Sequence, residues 1–137
     1  MHAIVQFYES LQPASVGHIR KLYAADAFFK DPFNEVRGHA AIERIFEHMF
    51  EQVDAPRFSV ESAVSEGDTA FIAWTMTYRR RGQSGPESSI RGCSALRFDA
   101  EGCVACHRDY WDAAEELYEK IPLLGGKVEK HIVEEVT

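Results

Sequence analysis

The sequence predicts an α+β domain in which three N-terminal helices pack on a strongly curved antiparallel sheet. Apolar side chains recur every three or four residues before Pro56 and alternate with period two after it, which indicates helices followed by strands. Helices and strands are segregated along the chain rather than alternating, and this order favours α+β over α/β architecture. A helical layer on a concave sheet encloses a cavity, which is a common place for a ligand.

Three helices and one short extended segment account for the N-terminal part. Residues 3–12 have one apolar face and end at a proline, and residues 16–24 form a second helix that a serine precedes. The phenylalanine-rich segment 27–31 is predicted to be short and extended. Residues 39–52 form the third helix, which follows a glycine and carries a continuous apolar stripe.

Four strands at meander spacing complete the predicted sheet. Residues 57–64 alternate with period two, and the turn after them leads to a long strand at 69–80. A glycine-rich loop separates that strand from the next one at 88–99, and another turn leads to the last strand at 103–112. A short helix is expected at 113–120.

The length of 137 residues indicates a single domain that can bury its own core. We assign residues 1–122 to this domain and residues 123–137 to a charged C-terminal tail, which is expected to be a loose helix or disordered. The sequence shows no internal repeat and no linker.

Charge and hydropathy exclude two classes of partner. The net charge is −7 and the basic residues form no stripe, which argues against nucleic acid. No apolar run approaches the roughly 20 residues of a membrane-spanning helix, and the N-terminus lacks the pattern of a signal peptide. We therefore expect a cytoplasmic protein without a membrane partner.

The three cysteines include a C-x-x-C pair, Cys103 and Cys106, in a strand-like segment. A redox C-x-x-C motif usually stands at a helix N-terminus, which lowers the thiol pKa. A zinc site needs a second pair of ligands, and only His107 lies near this cysteine pair in the sequence. We interpret these cysteines as small apolar residues and expect no metal and no cofactor.

The segment F-F-K-D-P-F-N, residues 28–34, places Asp31 inside an apolar run. The plain interpretation is a turn, because Asp and Pro both favour turns. The alternative is a carboxylate at the mouth of an apolar pocket, where burial tunes its pKa for proton transfer.

Several motifs resemble the nuclear transport factor 2 (NTF2)-like superfamily, in particular its ketosteroid isomerase and SnoaL-like polyketide cyclase branches. The resemblance covers about residues 3–112. Its carriers are I-V-Q-F-Y (4–8), L-Y-A-A-D-A-F-F-K-D-P (22–32), G-H-A-A-I-E-R-I-F (38–46), L-R-F-D-A-E-G (96–102) and H-R-D-Y-W-D (107–112).

The resemblance to ketosteroid isomerases implies specific roles. Asp31 matches the general base and Tyr8 the tyrosine of the oxyanion hole. Tyr23 matches a supporting tyrosine and Trp111 a pocket tryptophan. Ser94 stands where these isomerases have the acid of the oxyanion hole, and a serine cannot supply the same short, strong hydrogen bond.

The last predicted strand offers a second carboxylate. If Trp111 faces the cavity, period two places Asp109 and His107 on the same side. SnoaL-like cyclases resemble this layout and use a late-strand aspartate as acid and base. The epoxide hydrolase branch fits less well, because it pairs that aspartate with an Arg-x-Asp that the middle strand here lacks.

Each candidate has a structural alternative. Asp109 could pair with Arg79 or Arg91 on neighbouring strands, and His107 could be a hydrogen-bonded strand residue. Tyr8 could be part of the core.

The combined expectation is an apolar pocket with carboxylate acid/base chemistry and no cofactor. Asp31 would take a carbon-bound proton, while a protonated Asp109, with Tyr8 or Ser94, would donate to the oxyanion. A non-catalytic module that binds a ligand or another protein is the alternative. The apolar outer face of strand 69–80 further predicts a homodimer. The expected pocket residues are Tyr8, Tyr23, Phe46, Trp74, Met76, Ser94, His107, Asp109 and Trp111.

Overall fold

The computed structural model describes residues 1–82 and 85–118, with the side chains of 117 and 118 left undescribed. The predicted tail at 123–137 and the end of the predicted helix 113–120 lie outside the described residues. The helices are α1 (His2–Glu9), α2 (Ile19–Leu22) and α3 (His39–Gln52), with a 3₁₀ turn at Pro13–His18 and a π-helical turn at Ala114–Tyr118. The strands are β1 (Tyr23–Lys30), β2 (Glu35–Arg37), β3 (Val53–Glu66), β4 (Thr69–Arg80), β5 (Ser88–Phe98) and β6 (Val104–Tyr110).

The helices pack on one curved sheet with the order β2-β1-β6-β5-β4-β3, so the predicted α+β fold is confirmed. Four of the five strand pairings are antiparallel, whereas β1 and β6 run parallel. The four predicted strands are present, and β1 and β2 extend the sheet beyond them. The parallel pairing places the end of β1, just before Asp31, beside β6, the last strand.

The N-terminal helices are shorter than the periodicity predicted. Helix α1 ends at Glu9: the Ser10 N–H still bonds the Gln6 carbonyl at 3.0 Å, but the next N–H, that of Leu11, bonds the Tyr8 carbonyl at 3.3 Å in a tighter i→i−3 turn. The predicted helix 16–24 is wrong in type over most of its length. It is a 3₁₀ turn followed by one α-turn, and Tyr23 already belongs to β1.

Helix α3 confirms the predicted bounds 39–52. Gly38 precedes it with φ +95°, a conformation that glycine adopts without strain. Ile42 and Phe46 of this helix are buried in the core. The core lies between the helices and the concave face of the sheet.

Strand β3 bends because its pairing with β4 is interrupted twice. The register shifts between Asp54 and Arg57, where Ala55 has φ +48° before Pro56, and again beyond Val60. Such bulges increase local bending and twist. The resulting curvature keeps the middle of the sheet away from α3 and opens a cavity between them.

The convex face of the sheet leaves large apolar side chains exposed. Phe71 on β4 is 48% exposed and its β3 neighbour Val64 is 58% exposed. Tyr110 at the end of β6 is 51% exposed on the same face. Among the described residues, no helix is long and apolar enough to cross a membrane.

Candidate functional site

A cavity of about 560 Å³ lies between α3 and the concave face of the sheet. Its walls are mainly aromatic and aliphatic, and two carboxylates, Asp31 and Asp109, reach it from the sheet side. This volume lies within the usual range for small-molecule sites. The apolar and aromatic wall consists of Phe29, Phe33, Val36, Ala41, Ile45, Phe46, Met49, Val53, Phe58, Trp74, Met76, Tyr78, Ile90 and Trp111.

The parallel pairing of β1 and β6 brings the two carboxylates together. Lys30 pairs with Arg108, so Asp31 and Asp109 are the next residues along two neighbouring strands. They were expected to share one cavity, and the structure places both in its wall. Two carboxyl groups in one largely apolar site disfavour each other's ionisation.

Asp31 serves the turn that the plain interpretation predicted and also lines the cavity. Its Oδ1 accepts hydrogen bonds from the backbone N–H groups of Phe33 (2.8 Å) and Asn34 (2.7 Å). The Asn34 side-chain amide donates to both carboxyl oxygens at 3.1 Å. The turn therefore holds the carboxyl group in the cavity wall, which Phe33 and Trp111 also line.

The pKa of Asp31 is raised, chiefly because burial penalises the charged form. The hydrogen bonds from Phe33 and Asn34 oppose this shift, while the neighbouring charge of Asp109 adds to it. The resemblance to ketosteroid isomerases predicts Asp31 as the ionised member of the pair. The direction of its pKa shift instead favours the protonated form.

Asp109 is held by a chain of hydrogen bonds that starts at Trp74. The indole Nε1–H of Trp74 donates to Ser94 Oγ at 2.9 Å, and Ser94 donates to Asp109 Oδ1 at 2.5 Å. An indole nitrogen can only donate, so the Ser94 hydroxyl hydrogen is directed to the carboxyl group. Ser94, which stands where ketosteroid isomerases have the acid of the oxyanion hole, therefore positions the carboxyl group of Asp109.

A second chain reaches the same oxygen from the other side. His107 is fully buried, and its Nε2 lies 2.6 Å from Asp109 Oδ1. Its Nδ1 lies 2.6 Å from the Tyr23 hydroxyl and 3.2 Å from the Tyr8 hydroxyl, and the two hydroxyls are 2.6 Å apart. With the ring proton on Nε2, Tyr8 donates to Tyr23, Tyr23 to His107, and His107 to Asp109.

Both tyrosines remain donors because burial raises their pKa values well above the usual range. For Tyr8 the nearby Tyr23 and Asp109 add to the effect of burial, and for Tyr23 its hydrogen bond to Tyr8 opposes it. The two chains thus converge on Asp109 Oδ1. No described residue bonds Oδ2, and the Asp109 side chain is 18% exposed and lines the cavity.

Gly92 allows the first of these chains to form. It is the β5 partner of Trp74, and a Cβ atom at this position would lie 2.5 Å from two atoms of the indole ring. The ring therefore lies flat against the backbone of β5 and directs its N–H toward Ser94. A glycine inside a predicted strand was a signal for such close approach.

The residues named from the sequence divide into two groups. Asp31, Phe46, Trp74, Met76, Asp109 and Trp111 line the cavity. Tyr8, Tyr23, Ser94 and His107, which were expected to line it too, lie behind its wall, where their polar atoms bond one another and Asp109. Tyr8 and Ser94 do border a separate space of about 10 Å³ that also touches Asp109.

The structural alternatives are also decided in part. Arg91 pairs with Glu116 at 3.0 Å and with Glu115, and no ion pair of Asp109 with Arg79 or Arg91 occurs in the described part of the chain. His107 is indeed a hydrogen-bonded strand residue, and Tyr8 is indeed part of the core.

Helix α3 supplies the cavity residues that the sequence argument missed. Arg44, His48 and Gln52 recur every four residues beside the apolar stripe, and all three line the cavity. That polar spacing was visible in the sequence, but the stripe was assigned to core packing alone. Asn34 was missed because its contribution depends on the turn that Asp31 organises.

The cysteines remain free thiols, each half-buried. Within residues 1–82 and 85–118, no cluster of three or more His, Cys, Asp or Glu side chains is arranged to hold a metal ion.

Comparison with known proteins gives a family and a fold. The family model described as "SnoaL-like domain" matches residues 4–107. No curated protein matches the chain.

Solved structures resemble the chain at low identity. A protein with a ketosteroid isomerase-like fold from Catenulispora acidiphila, solved with trimethylamine, has TM-score 0.71 and 18% identity over 85% of this chain and 87% of its own. A candidate SnoaL-like polyketide cyclase from Jannaschia sp. CCS1 has TM-score 0.69 and 17% identity over 83% and 85%. An epoxide hydrolase from M. tuberculosis has TM-score 0.70 and 15% identity over 89% and 88%. At these identities the likeness shows the fold alone.

Proposed function

The chain belongs to the SnoaL-like domain family of the NTF2-like superfamily, and we propose that it is a cofactor-free isomerase or cyclase acting on an apolar, carbonyl-containing small molecule. The observation that carries this proposal is the placement of Asp109. Two convergent hydrogen bonds hold its Oδ1, while Oδ2 has no partner among the described residues and the side chain lines an apolar cavity.

We assign proton abstraction to Asp109 and proton donation to Asp31. Two donors hold Asp109 Oδ1 in place, so Oδ2, which has no partner among the described residues, is the oxygen that takes a proton from the carbon next to a carbonyl group. Asp31, whose pKa is raised by burial, can donate to the developing oxyanion. This division reverses the roles expected from the sequence, and the direction of the Asp31 shift supports the reversal.

The catalytic step needs no group beyond the two carboxyls. The C–H bond breaks as the proton moves to Asp109 Oδ2, and the electron pair forms an enolate whose oxygen takes the Asp31 proton. As the enol returns its O–H proton to Asp31, delivery of the Asp109 proton to a different carbon gives an isomer, whereas attack of the enol carbon on a second carbonyl, whose oxygen takes the Asp109 proton, closes a ring. Either outcome uses the same first step.

That first step can be tested without knowing the natural substrate. We expect the protein to accelerate hydrogen–deuterium exchange next to the carbonyl of 2-tetralone in D₂O, followed by ¹H NMR. Asp109→Asn keeps the shape and removes the base, so the acceleration should fall by about 10²- to 10⁴-fold. Asp26→Asn changes an exposed carboxylate on β1 and should leave the rate unchanged.

A binding module is the second candidate, and the engagement of Tyr8 favours it. Its hydroxyl is hydrogen-bonded behind the cavity wall, so it does not offer the oxyanion donor that the resemblance implied. If 2-tetralone binds but Asp109→Asn does not change its exchange rate, the enzyme proposal fails and the binding module stands.

The proposal includes a homodimer and a cytoplasmic location. The exposed apolar convex face supports the dimer. The cytoplasmic location rests on the sequence expectation.

A further inference from the structure

The cavity has unlike charges on its two sides. Asp31 and Asp109 reach it from the sheet, and Arg44 reaches it from α3. Ile45, Met49 and the aromatic side chains form an apolar band in the same wall. A ligand that fills this space therefore meets acidic groups on one side and a cation on the other.

Within helix α3, all of which the structure describes, Arg44 forms no ion pair with Glu43, Glu47 or Glu51. The adjacent Glu43 binds Arg20 through two hydrogen bonds of 2.7 and 3.1 Å. Glu51 lies 3.6 Å from His48 instead. Across the described ranges, Arg44 forms no ion pair, so its guanidinium group is available to an occupant of the cavity.

The polar side of α3 continues beyond Arg44. His48 and Gln52 follow it at four-residue spacing, line the same cavity and are joined by a contact of 3.1 Å between Gln52 Nε2 and His48 Nε2. These three side chains form a polar border that runs along α3 beside its apolar stripe. A planar guanidinium group matches the two oxygens of a carboxylate.

We infer that the ligand is amphipathic and carries a carboxylate, which Arg44 binds at the helix side while the reacting carbonyl faces Asp109. The opposite orientation would place the ligand carboxylate beside Asp31 and Asp109 and is disfavoured by like-charge repulsion. This inference rests on the proposed function for the identity of the site. It adds the class of ligand and its orientation.

The test uses two matched probes, fluorenone-2-carboxylate and fluorenone-2-carboxamide, which differ only in the anionic group. The two tryptophans of the chain, Trp74 and Trp111, both line the cavity, so quenching of tryptophan fluorescence reports its occupation. Calorimetry gives the two dissociation constants. We expect the carboxylate to bind about tenfold more tightly than the amide, as one charge-assisted contact allows.

Arg44→Met should abolish this preference and leave the affinity for the amide within about twofold, whereas Arg44→Lys should retain part of it because it keeps the charge but not the fork geometry. Arg97→Met removes the same charge from an exposed position on β5 and should retain the full preference. That control separates a local contact from the effect of the net charge of −7.

Two results would overturn the inference in distinguishable ways. If both probes bind equally and Arg44→Met does not change this, the ligand does not require a carboxylate, and the cavity is still supported as the small-molecule site. Binding of neither probe, with unchanged tryptophan fluorescence, removes the ligand class and the proposed small-molecule site together.

Discussion

Asp31 and Asp109 show how the same side chain receives different chemistry from its neighbours. The donors to Asp31 belong to its own turn, Phe33 and Asn34, and they offset only part of the cost of burying its charge. The donors to Asp109 are the side chains of Ser94 on the neighbouring strand β5 and of His107 on β6 itself, and His107 is in turn bonded to Tyr23 of β1. One carboxyl group is thus shaped by local sequence and the other by tertiary packing.

The raised pKa of Asp31 predicts how stability changes with pH. Below the unfolded-state value of roughly 4, Asp31 is protonated in both states. Between that value and the higher folded pKa, only the folded protein keeps the proton, so stability falls as pH rises through this window. Asp31→Asn cannot ionise, yet its side-chain oxygen can still accept the turn hydrogen bonds, so this decline should become smaller.

Urea unfolding of the wild type and Asp31→Asn at pH 4 and pH 7 measures this difference. Asp26→Asn, on the exposed side of the same strand, should follow the wild type. A steeper loss of stability toward pH 7 in Asp31→Asn than in the wild type would contradict the raised pKa.

At the scale of elements, the contact between β4 and β5 controls the position of the acidic group. Trp74 lies against Gly92, and from there it donates to Ser94 and through Ser94 orients Asp109. The close approach of Trp74 on β4 to the backbone of β5 therefore determines the orientation of Asp109 on β6.

Gly92→Ala should displace the indole ring and disrupt this chain, because its Cβ would lie 2.5 Å from ring atoms. We expect a loss of about 1–3 kcal/mol in the free energy of unfolding, typical of overpacking, and a lower 2-tetralone exchange rate. Urea unfolding and near-ultraviolet circular dichroism of the tryptophans measure the displacement.

Gly17→Ala is the matched control, since a Cβ there meets no atom within 4 Å. It should leave both the stability difference and the tryptophan signal close to those of the wild type. An unchanged tryptophan signal in Gly92→Ala would contradict the proposal that Gly92 makes room for the Trp74 ring.

The elements that the sequence predicted well are those with a long, regular period. Helix α3 and the strands β4 and β5 have such patterns, and their bounds were predicted to within one residue. The end of strand β1 falls in the segment 27–31 that was predicted to be extended, but its start was predicted as helix because Y-A-A-D-A contains good helix formers and its strand conformation depends on pairing with β6. Strand β2 has only three residues, too few to show a period.

The same limit applies to the site. Period two along β6 was enough to place His107 and Asp109 on one side of the sheet, and their atoms lie 2.6 Å apart. The partners Ser94 and Tyr23 depend on the register between strands and on the parallel pairing of β1, which no local pattern encodes. For that reason the residue types of the site could be predicted, whereas its hydrogen-bond order could not.

At the scale of the whole molecule, the sheet separates two apolar surfaces with different purposes. The concave surface forms the cavity, and the convex surface exposes Phe71, Val64 and Tyr110. Strand pairing makes the convex residues contiguous, because Phe71 lies between Val64 and Ala95 in the register. A second copy of the chain is the partner we propose for this face.

The dimer proposal predicts that Phe71→Glu gives a monomer. A charge at Phe71 would have to lose its hydration in the dimer, which costs several kcal/mol, whereas the monomer leaves it in water. Light scattering after size-exclusion chromatography should give twice the chain mass for the wild type and the single-chain mass for this variant at tens of micromolar. Phe33→Glu is the matched control, because Phe33 is 49% exposed but lines the cavity, so it should alter ligand binding and keep the dimer. A single-chain mass for the wild type would remove the dimer, and a Phe71→Glu variant that stays dimeric would place the interface on another surface.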